Sequence, residues 1–200
     1  MSKDIYIHGT EPSEQERLAG LNRMTNAAFI RFLDVPAGAH VLEVGSGLGL
    51  LAFDVANAAH DVMVVGVEIS AAQIAKAPAH KRVTFKQGDA HTLDFPDGAF
   101  DIVYARYLLE HVADPAHVVR EMRRVTKPGG TIVILNHFRS RNPVMRRIED
   151  ALAPVCAHLG WKTNLVLDPL LKTVGLTPEV VRRVNLLRGW CLVKCINPER

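Results

Sequence analysis

Val41-Leu42-Glu43-Val44-Gly45-Ser46-Gly47-Leu48-Gly49 is the stretch whose reading decides the fold. Its first four residues are an apolar run of strand length, and three glycines at alternate positions follow at once. Glycine lets a chain turn sharply and bring its backbone close to a ligand, because no Cβ stands in the way. From Leu50 to about Ala59 the residues carry a helical pattern, so the stretch reads strand, tight turn, helix. Such a turn sits at the mouth of a helix whose dipole favours negative charge. Taken alone it is a weak signal, since nucleotide-binding dehydrogenases use a related loop.

The flanking sequence repeats the theme. Ser13 with Glu16 three residues later is a capping-box pattern. Leu18, Leu21, Thr25, Ala28, Phe29 and Phe32 then fall at helical spacing, which predicts a helix over Ser13 to Leu33, broken by Pro36-Ala37-Gly38. Downstream, apolar runs recur at Asp61 to Val67, Arg82 to Lys86, Phe100 to Ala105, and Thr131 to Leu135 after a turn at Pro128-Gly129-Gly130. Ser70 caps a short helix stopped by Pro78, and Asp114 caps one reaching Val125. Continuous apolar strands alternating with helices indicate a parallel sheet covered on both faces.

After Asn136 the pattern changes. Asn142 to Leu159 reads as a basic helix that Pro154 kinks or ends, and Asp168 to Val174 as a short helix. Val180 to Leu187 and Trp190 to Ile196 read as strands joined at Arg188-Gly189, a turn short enough to require an antiparallel pair. The expected architecture is one α/β Rossmann-like domain over 1–200, with a mostly parallel seven-stranded sheet ending in a C-terminal antiparallel hairpin. Residues 1–35 form a helical cap, 36–138 a cofactor-binding core, and 139–200 a substrate-side helix and the hairpin.

Two hundred residues, 48% hydrophobic, suffice for one sizeable core and exclude a disordered chain. No run of apolar residues is long enough for a membrane span, and Met1 to Tyr6 lacks the layout of a secretory signal. Cys156, Cys191 and Cys195 show neither a disulfide framework nor zinc-site spacing, and read as reduced apolar fillers in a cytoplasmic protein. No metal is expected. The net charge of +3 conceals an asymmetry: residues 1–138 hold 13 basic against 16 acidic side chains, and residues 139–200 hold 11 against 5. The basic part is either a solvated helix surface or a face for an anionic partner.

The acids sit at telling positions. Glu68 ends the second strand, where a carboxylate can accept both hydroxyls of a ribose. Asp89 follows the third, where a carboxylate can bind the exocyclic amine of an adenine, and Tyr104 to Tyr107 closes the fourth. The C-terminal ends of neighbouring strands line one crevice in such a sheet. A nicotinamide dehydrogenase fits poorly, because its loop runs GxGxxG and position 50 here is Leu.

With these motifs in order, the sequence resembles the class I S-adenosylmethionine-dependent methyltransferases. Val41 to Gly49 looks like their first motif and Val64-Val-Gly-Val-Glu-Ile-Ser70 like the next. Gly88 to Asp101 and Arg124-Val-Thr-Lys-Pro-Gly-Gly130 are similar to the later ones. The likeness is closest to the ubiquinone/menaquinone-biosynthesis type and spans about residues 35 to 138. It implies S-adenosylmethionine as cofactor, with Glu43, Gly45, Gly47 and Gly49 around its methionine part. Glu68 would hold the ribose, Ile69 pack on the adenine, Asp89 and Ala90 meet the adenine edge, and Arg106 lie near the sulfonium.

Methyl transfer from a sulfonium is a direct displacement, so the enzyme mainly aligns the reactants and excludes water. A general base is useful for an amine or acidic hydroxyl but need not be strong. Glu110 and His111, just after the fourth strand, are the candidates for acceptor positioning or proton removal, the alternative for His111 being packing under the cofactor loop. Asn136 and His137 end the fifth strand on the same crevice and are expected to touch the acceptor. Tyr6 is a candidate to close over the cofactor. His8, His60, His80 and His91 show no ligand spacing and read as surface residues.

Leu135-Asn-His-Phe138, Glu149 with Ala151-Leu-Ala-Pro154, and Leu159-Gly-Trp161 resemble bacterial soluble phosphatidylethanolamine N-methyltransferases. Arg188-Gly-Trp-Cys-Leu-Val-Lys-Cys195 is similar to that family's last strand. The resemblance implies stepwise methylation of a lipid amine on an anionic membrane, at the inner membrane face. Arg139, Arg141, Arg146 and Arg147 beside Val144, Met145 and Ile148 fit such a surface, or else an amphipathic lid over a small-molecule pocket. The alternatives are a soluble acceptor such as a quinone precursor or secondary metabolite, and a non-catalytic cofactor-binding scaffold. Nucleic acid is disfavoured, since no Asn-Pro-Pro-Tyr-like motif follows the fourth strand and no basic stripe is interleaved with aromatics.

Overall fold

The computed structural model describes residues 26–158, 162–184 and 190–199. Seven strands form one sheet: β1 (His40–Val44), β2 (Met63–Glu68), β3 (Val83–Gln87), β4 (Phe100–Arg106), β5 (Thr126–His137), β6 (Pro178–Arg183) and β7 (Trp190–Ile196). Their spatial order is β3-β2-β1-β4-β5-β7-β6. The first five run parallel, and β7 is antiparallel to both β5 and β6. Helices cover the two faces: α1 (residues 26–33), α2 (Leu50–Ala56), α3 (Ala71–Ile74), α4 (Pro115–Val125), α5 (Pro143–His158) and α6 (Leu167–Thr173).

Alternation along each strand divides the core in two. Leu42, Val44, Val103, Ile132, Ile134 and Val193 point to one face, where α4 and α6 bring Val118, Met122, Leu170 and Leu171. Val41, Ile102, Tyr104, Val133, Leu135 and Leu192 point to the other, onto Phe29, Leu33, Leu51 and Val55 of α1 and α2. Because both faces are covered, the central strands are mostly apolar on both sides, with Glu43 and Asn136 as buried polar exceptions toward their C-terminal ends. The strand order reverses between β1 and β4, and the crevice beyond their C-terminal ends is the usual ligand position of such sheets.

Several boundaries differ from the sequence reading. β5 begins at Thr126, not Thr131: Pro128-Gly129-Gly130 has turn composition, yet Gly129 N–H donates to Asn197 O and Asn197 N–H to Gly130 O. The β4–β5 register shifts between Phe100 and Ile102 to absorb the irregularity. Pro154 does not end α5, which continues to His158. Asp114 caps α4 as expected, accepting the His117 N–H at 3.0 Å. The capping box at Ser13–Glu16, Tyr6, His8 and the turn at Arg188-Gly189 lie outside the described residues. The three cysteines are buried and free, and burial pushes the Cys195 thiol up to about 11, out of the reactive range.

Candidate active site

The glycine-rich loop leaves β1 with Gly45, Gly47 and Gly49 all at positive φ, which other residues adopt only at a cost. A Cβ on Gly49 would stand 2.2 Å from the Phe85 ring, and one on Gly45 2.9 Å from Leu108. These glycines therefore serve close packing as well as the turn. Glu68, buried at the end of β2, staples the loop. One carboxylate oxygen accepts the Gly47 N–H at 2.8 Å and the other the Ser70 N–H at 3.0 Å. Each oxygen keeps a second lone pair for a further donor.

Glu43 lies deeper, on β1, and is only 4% exposed. Burial pushes its carboxyl up to about 8, against the opposing pull of the Arg106 guanidinium. Its register partner on β4, Tyr104, faces the same carboxyl. Among the described residues neither Glu43 Oε2 nor the Tyr104 hydroxyl has a hydrogen-bond partner of good geometry, and the same is true of Ser46 Oγ. Glu43 and Tyr104 face each other, and with Ser46 Oγ on the loop they are buried polar groups whose hydrogen bonding the described residues leave incomplete, which suits polar ligand atoms.

Arg106, at the end of β4, is held by a chain that the sequence does not reveal. Its Nη1 donates to Asn26 Oδ1 at 2.7 Å, and Asn26 Nδ2 donates to Asp54 Oδ2 at 2.6 Å. Asn26 on α1 and Asp54 on α2 thus fix the guanidinium beside Glu43. Asp89 is exposed beyond β3, where hydrogen bonding from the His91 N–H, outweighing the opposing effect of burial, holds its carboxyl below the usual range. Ile69, 54% exposed, and Ala90 lie at the ends of β2 and β3 on the same side of the crevice.

His91 and His80 are not free surface residues. His91 Nδ1 meets Asp89 Oδ1 at 2.8 Å while Nε2 accepts the Asp114 N–H at 3.2 Å, tying the Asp89 turn to the cap of α4. His80 Nδ1 accepts the Arg82 N–H, and its ring stacks edge-on with Phe53.

Across the crevice Glu110, His111, His137 and Glu149 come together. Burial raises the Glu110 carboxyl to about 7, countered in part by the His137 backbone N–H. His111 Nε2 lies 3.5 Å from Glu110 Oε1, and His137 Nε2 3.6 Å from Glu149 Oε1. Burial also lowers the His137 imidazole, favouring its neutral form. Asn136 corrects the expectation of acceptor contact. It is wholly buried, its Oδ1 accepts the Leu109 N–H at 3.0 Å, and its Nδ2 donates to His137 O at 2.9 Å. Its amide is committed to backbone, so it shapes the loop that carries Glu110. Glu149 and Trp190 were visible only as parts of resemblance motifs, and nothing in the sequence pointed to Asn26 or Asp54.

A hollow of about 850 Å³ lies elsewhere, at the N-terminal ends of the strands beside Arg120, Arg123 and Arg124. Its arginines are already engaged, Arg123 by Val174 O and Arg124 by Glu121 and Asp97.

Comparison with known proteins agrees with this crevice. Residues 42–134 match the methyltransferase domain family. The chain is 37% identical over 153 residues to a phosphatidylethanolamine N-methyltransferase of Cereibacter sphaeroides, covering 70% of this chain and 74% of that protein. The chain belongs to the class I S-adenosylmethionine-dependent methyltransferases. A second member, ajmaline N-methyltransferase of Rauvolfia serpentina, is 31% identical over 197 residues, 92% of this chain and 67% of that one. The fold is also that of a Haloferax volcanii methyltransferase solved with its Trm112 activator, at TM-score 0.76 and 17% identity, over 92% and 95% of the two chains. The residues of this methyltransferase suit its cofactor chemically. Glu43 keeps one carboxylate oxygen that can meet a cationic group, Glu68 has acceptors to spare for hydroxyls, and the loop offers backbone at close range.

Proposed function

We propose that this methyltransferase N-methylates phosphatidylethanolamine or a similar amine-bearing lipid while resting on an anionic membrane. The observation that carries the reading is the two-sidedness of α5. Val144, Ile148, Leu152 and Val155, at 66, 46, 50 and 58% exposure, recur at helical spacing as one uncovered apolar stripe. Arg147 flanks the stripe and Arg146 lies on the far side of the helix, and both are exposed and within a side chain's reach of anionic headgroups. The adjoining face of the helix, about a quarter turn round, buries Glu149 and Cys156, and Glu149 reaches His137 at the crevice. A lipid held by this surface would therefore have its headgroup beside the acceptor site. Among the described residues no helix is long and apolar enough to cross a membrane.

In this reading Glu68 binds the ribose, Ile69, Asp89 and Ala90 the adenine, and Glu43, Gly45, Gly47, Gly49 and Arg106 the methionine end. S-adenosylmethionine supplies an electrophilic methyl group on a sulfonium. An ammonium must lose a proton before its nitrogen can attack, and Glu110, raised to about 7, is poised to take it near neutrality. His111 and Asn136 hold that carboxylate and its loop, and His137 with Glu149 lines the far wall.

The test is transfer of labelled methyl from S-adenosylmethionine into phosphatidylethanolamine vesicles, with and without anionic lipid. Labelled lipid, increased by anionic lipid, is expected. The specific alternative is a soluble acceptor, favoured by the likeness to an alkaloid N-methyltransferase over 92% of the chain. Cofactor binding with unlabelled lipid would select it.

A further inference from the structure

We propose that Tyr107, Trp190, Glu110 and the His137–Glu149 pair form a receptor for a substituted ammonium group. The inference deepens the amine-acceptor reading above by naming the side chains that would recognise the charge. Tyr107 is the first observation. Its φ of 57° places a bulky aromatic residue in the left-handed region, where the other non-glycine cases among the described residues are Asp34 and Asp61, a residue type that tolerates it. The Tyr107 N–H is fixed to Leu135 O at 2.8 Å, and the strained turn sets its ring 4.7 Å from that of Trp190, at 84°. Strain of this kind collects where a side chain must be presented to a ligand.

Trp190 begins β7 directly opposite His137 on β5, and the two rings lie 5.8 Å apart. Glu110 accepts the His137 backbone N–H, and its charge is close enough to help raise the Tyr107 phenol, although burial is the larger cause. Glu149 is fixed from α5, with Oε2 accepting the Ser140 N–H at 2.7 Å and Oε1 facing His137. Two aromatic rings at right angles and two buried carboxyls thus border one end of the crevice. Aromatic faces attract cations, and Trp does so most strongly. Arg106 already lies 5.5 Å from the centre of the Tyr107 ring, held there by Asn26, so the guest's contact is chiefly with Trp190 and the carboxyls. A neutral phenol gains little from this arrangement, whereas a primary to quaternary ammonium gains from the Trp190 ring and from both carboxyls.

The probes are choline chloride and its uncharged isostere 3,3-dimethylbutan-1-ol, titrated into the full chain. A Trp161→Phe background leaves Trp190 as the sole tryptophan reporter. Saturable choline binding at least about tenfold tighter than the isostere is expected. Calorimetry on the otherwise native chain should find binding retained in Trp190→Phe. Trp190→Leu and Glu149→Gln should each weaken it at least about fivefold, with cofactor affinity unchanged as the check on folding. Equal affinity for both probes, or choline binding untouched in both weakening variants, overturns the receptor. Lipid methylation measured alongside separates the two ideas. Choline selectivity without lipid product sustains the receptor and removes the lipid reading, whereas lipid product without choline selectivity does the reverse.

Discussion

Replacing Glu43 by Gln should stabilise the empty protein while weakening its grip on cofactor, and the pH dependence of the gain is the informative part. The folded carboxyl sits at about 8 against an ordinary 4.5, because β1 buries it with one oxygen unpartnered. A raised acid makes the folded state bind more protons than the unfolded one. Its favourable contribution is therefore complete below 4.5 and is lost as pH rises through 8. At about 1.4 kcal/mol per pH unit, keeping this carboxyl protonated costs the native chain roughly 3 kcal/mol at pH 7. Gln has nearly the same shape and no proton to take up, so it removes the cost.

The two proteins should thus be similar in stability near pH 4.5 and diverge steadily to pH 8, where the curves become parallel. For a chain of this size roughly 3 kcal/mol corresponds to a rise in Tm of about 6–12 °C at pH 7. Thermal unfolding of both proteins from pH 5 to 9, without cofactor, reads this directly. Cofactor titration of Glu43→Gln should show the opposite sign, a loss of about 1.5–3 kcal/mol, since a charged partner has been replaced by a neutral one. A constant offset between the stability curves at all pH values would refute the reasoning. Glu43 would then be ionised in the folded chain.

Glu68→Ala should weaken cofactor binding by about 1.5–3 kcal/mol, and it also frees the Gly47 N–H that the carboxylate holds, so unchanged affinity by calorimetry would remove its ribose role. Glu110→Gln should lower kcat/KM by about 10²–10⁴. It should also abolish a rise in activity as pH climbs through about 7, because the base works only when deprotonated; a pH–rate profile with the same rising limb in both proteins would exclude it. Replacing Arg146 and Arg147 by Ala should reduce co-sedimentation with anionic vesicles at low salt and leave cofactor binding intact, and unchanged sedimentation would remove α5 from the membrane.

The core of the fold was legible because its physics is local and repetitive. Leu42 and Val103 need no knowledge of partners to read as buried strand, since both faces of the sheet are covered. What failed depended on residues distant in sequence. Pro128-Gly129-Gly130 has turn composition, and only pairing with Asn197 turns it into the start of β5. Asn136 stands where an acceptor ligand would be expected, yet its amide is spent on Leu109 and His137 backbone, which no spacing rule reveals. The Asp54–Asn26–Arg106 chain joins residues 28 and 80 positions apart in sequence. Glu68 and Asp89 were legible as candidates because one ends β2 and the other follows β3, and strand ends are what a hydropathy pattern marks best.

Glu43 and Glu110 stand at the two halves of the crevice, and burial raises both toward or above neutrality. Near pH 7 Glu43 is thus largely protonated even with the Arg106 guanidinium beside it, Glu110 is about half protonated, and each has a reason to ionise when a further cation arrives. In the proposed reading the substrates carry positive charge at the matching places: the amino and sulfonium groups of the cofactor beside Glu43, and an ammonium beside Glu110. Cofactor binding should therefore release a proton and tighten as pH rises toward 8. Once ionised, Glu110 can take the proton of an acceptor ammonium, leaving a neutral amine free to attack. Burial, which is a cost to the empty fold at Glu43, is in this way the source of the site's preference for cations.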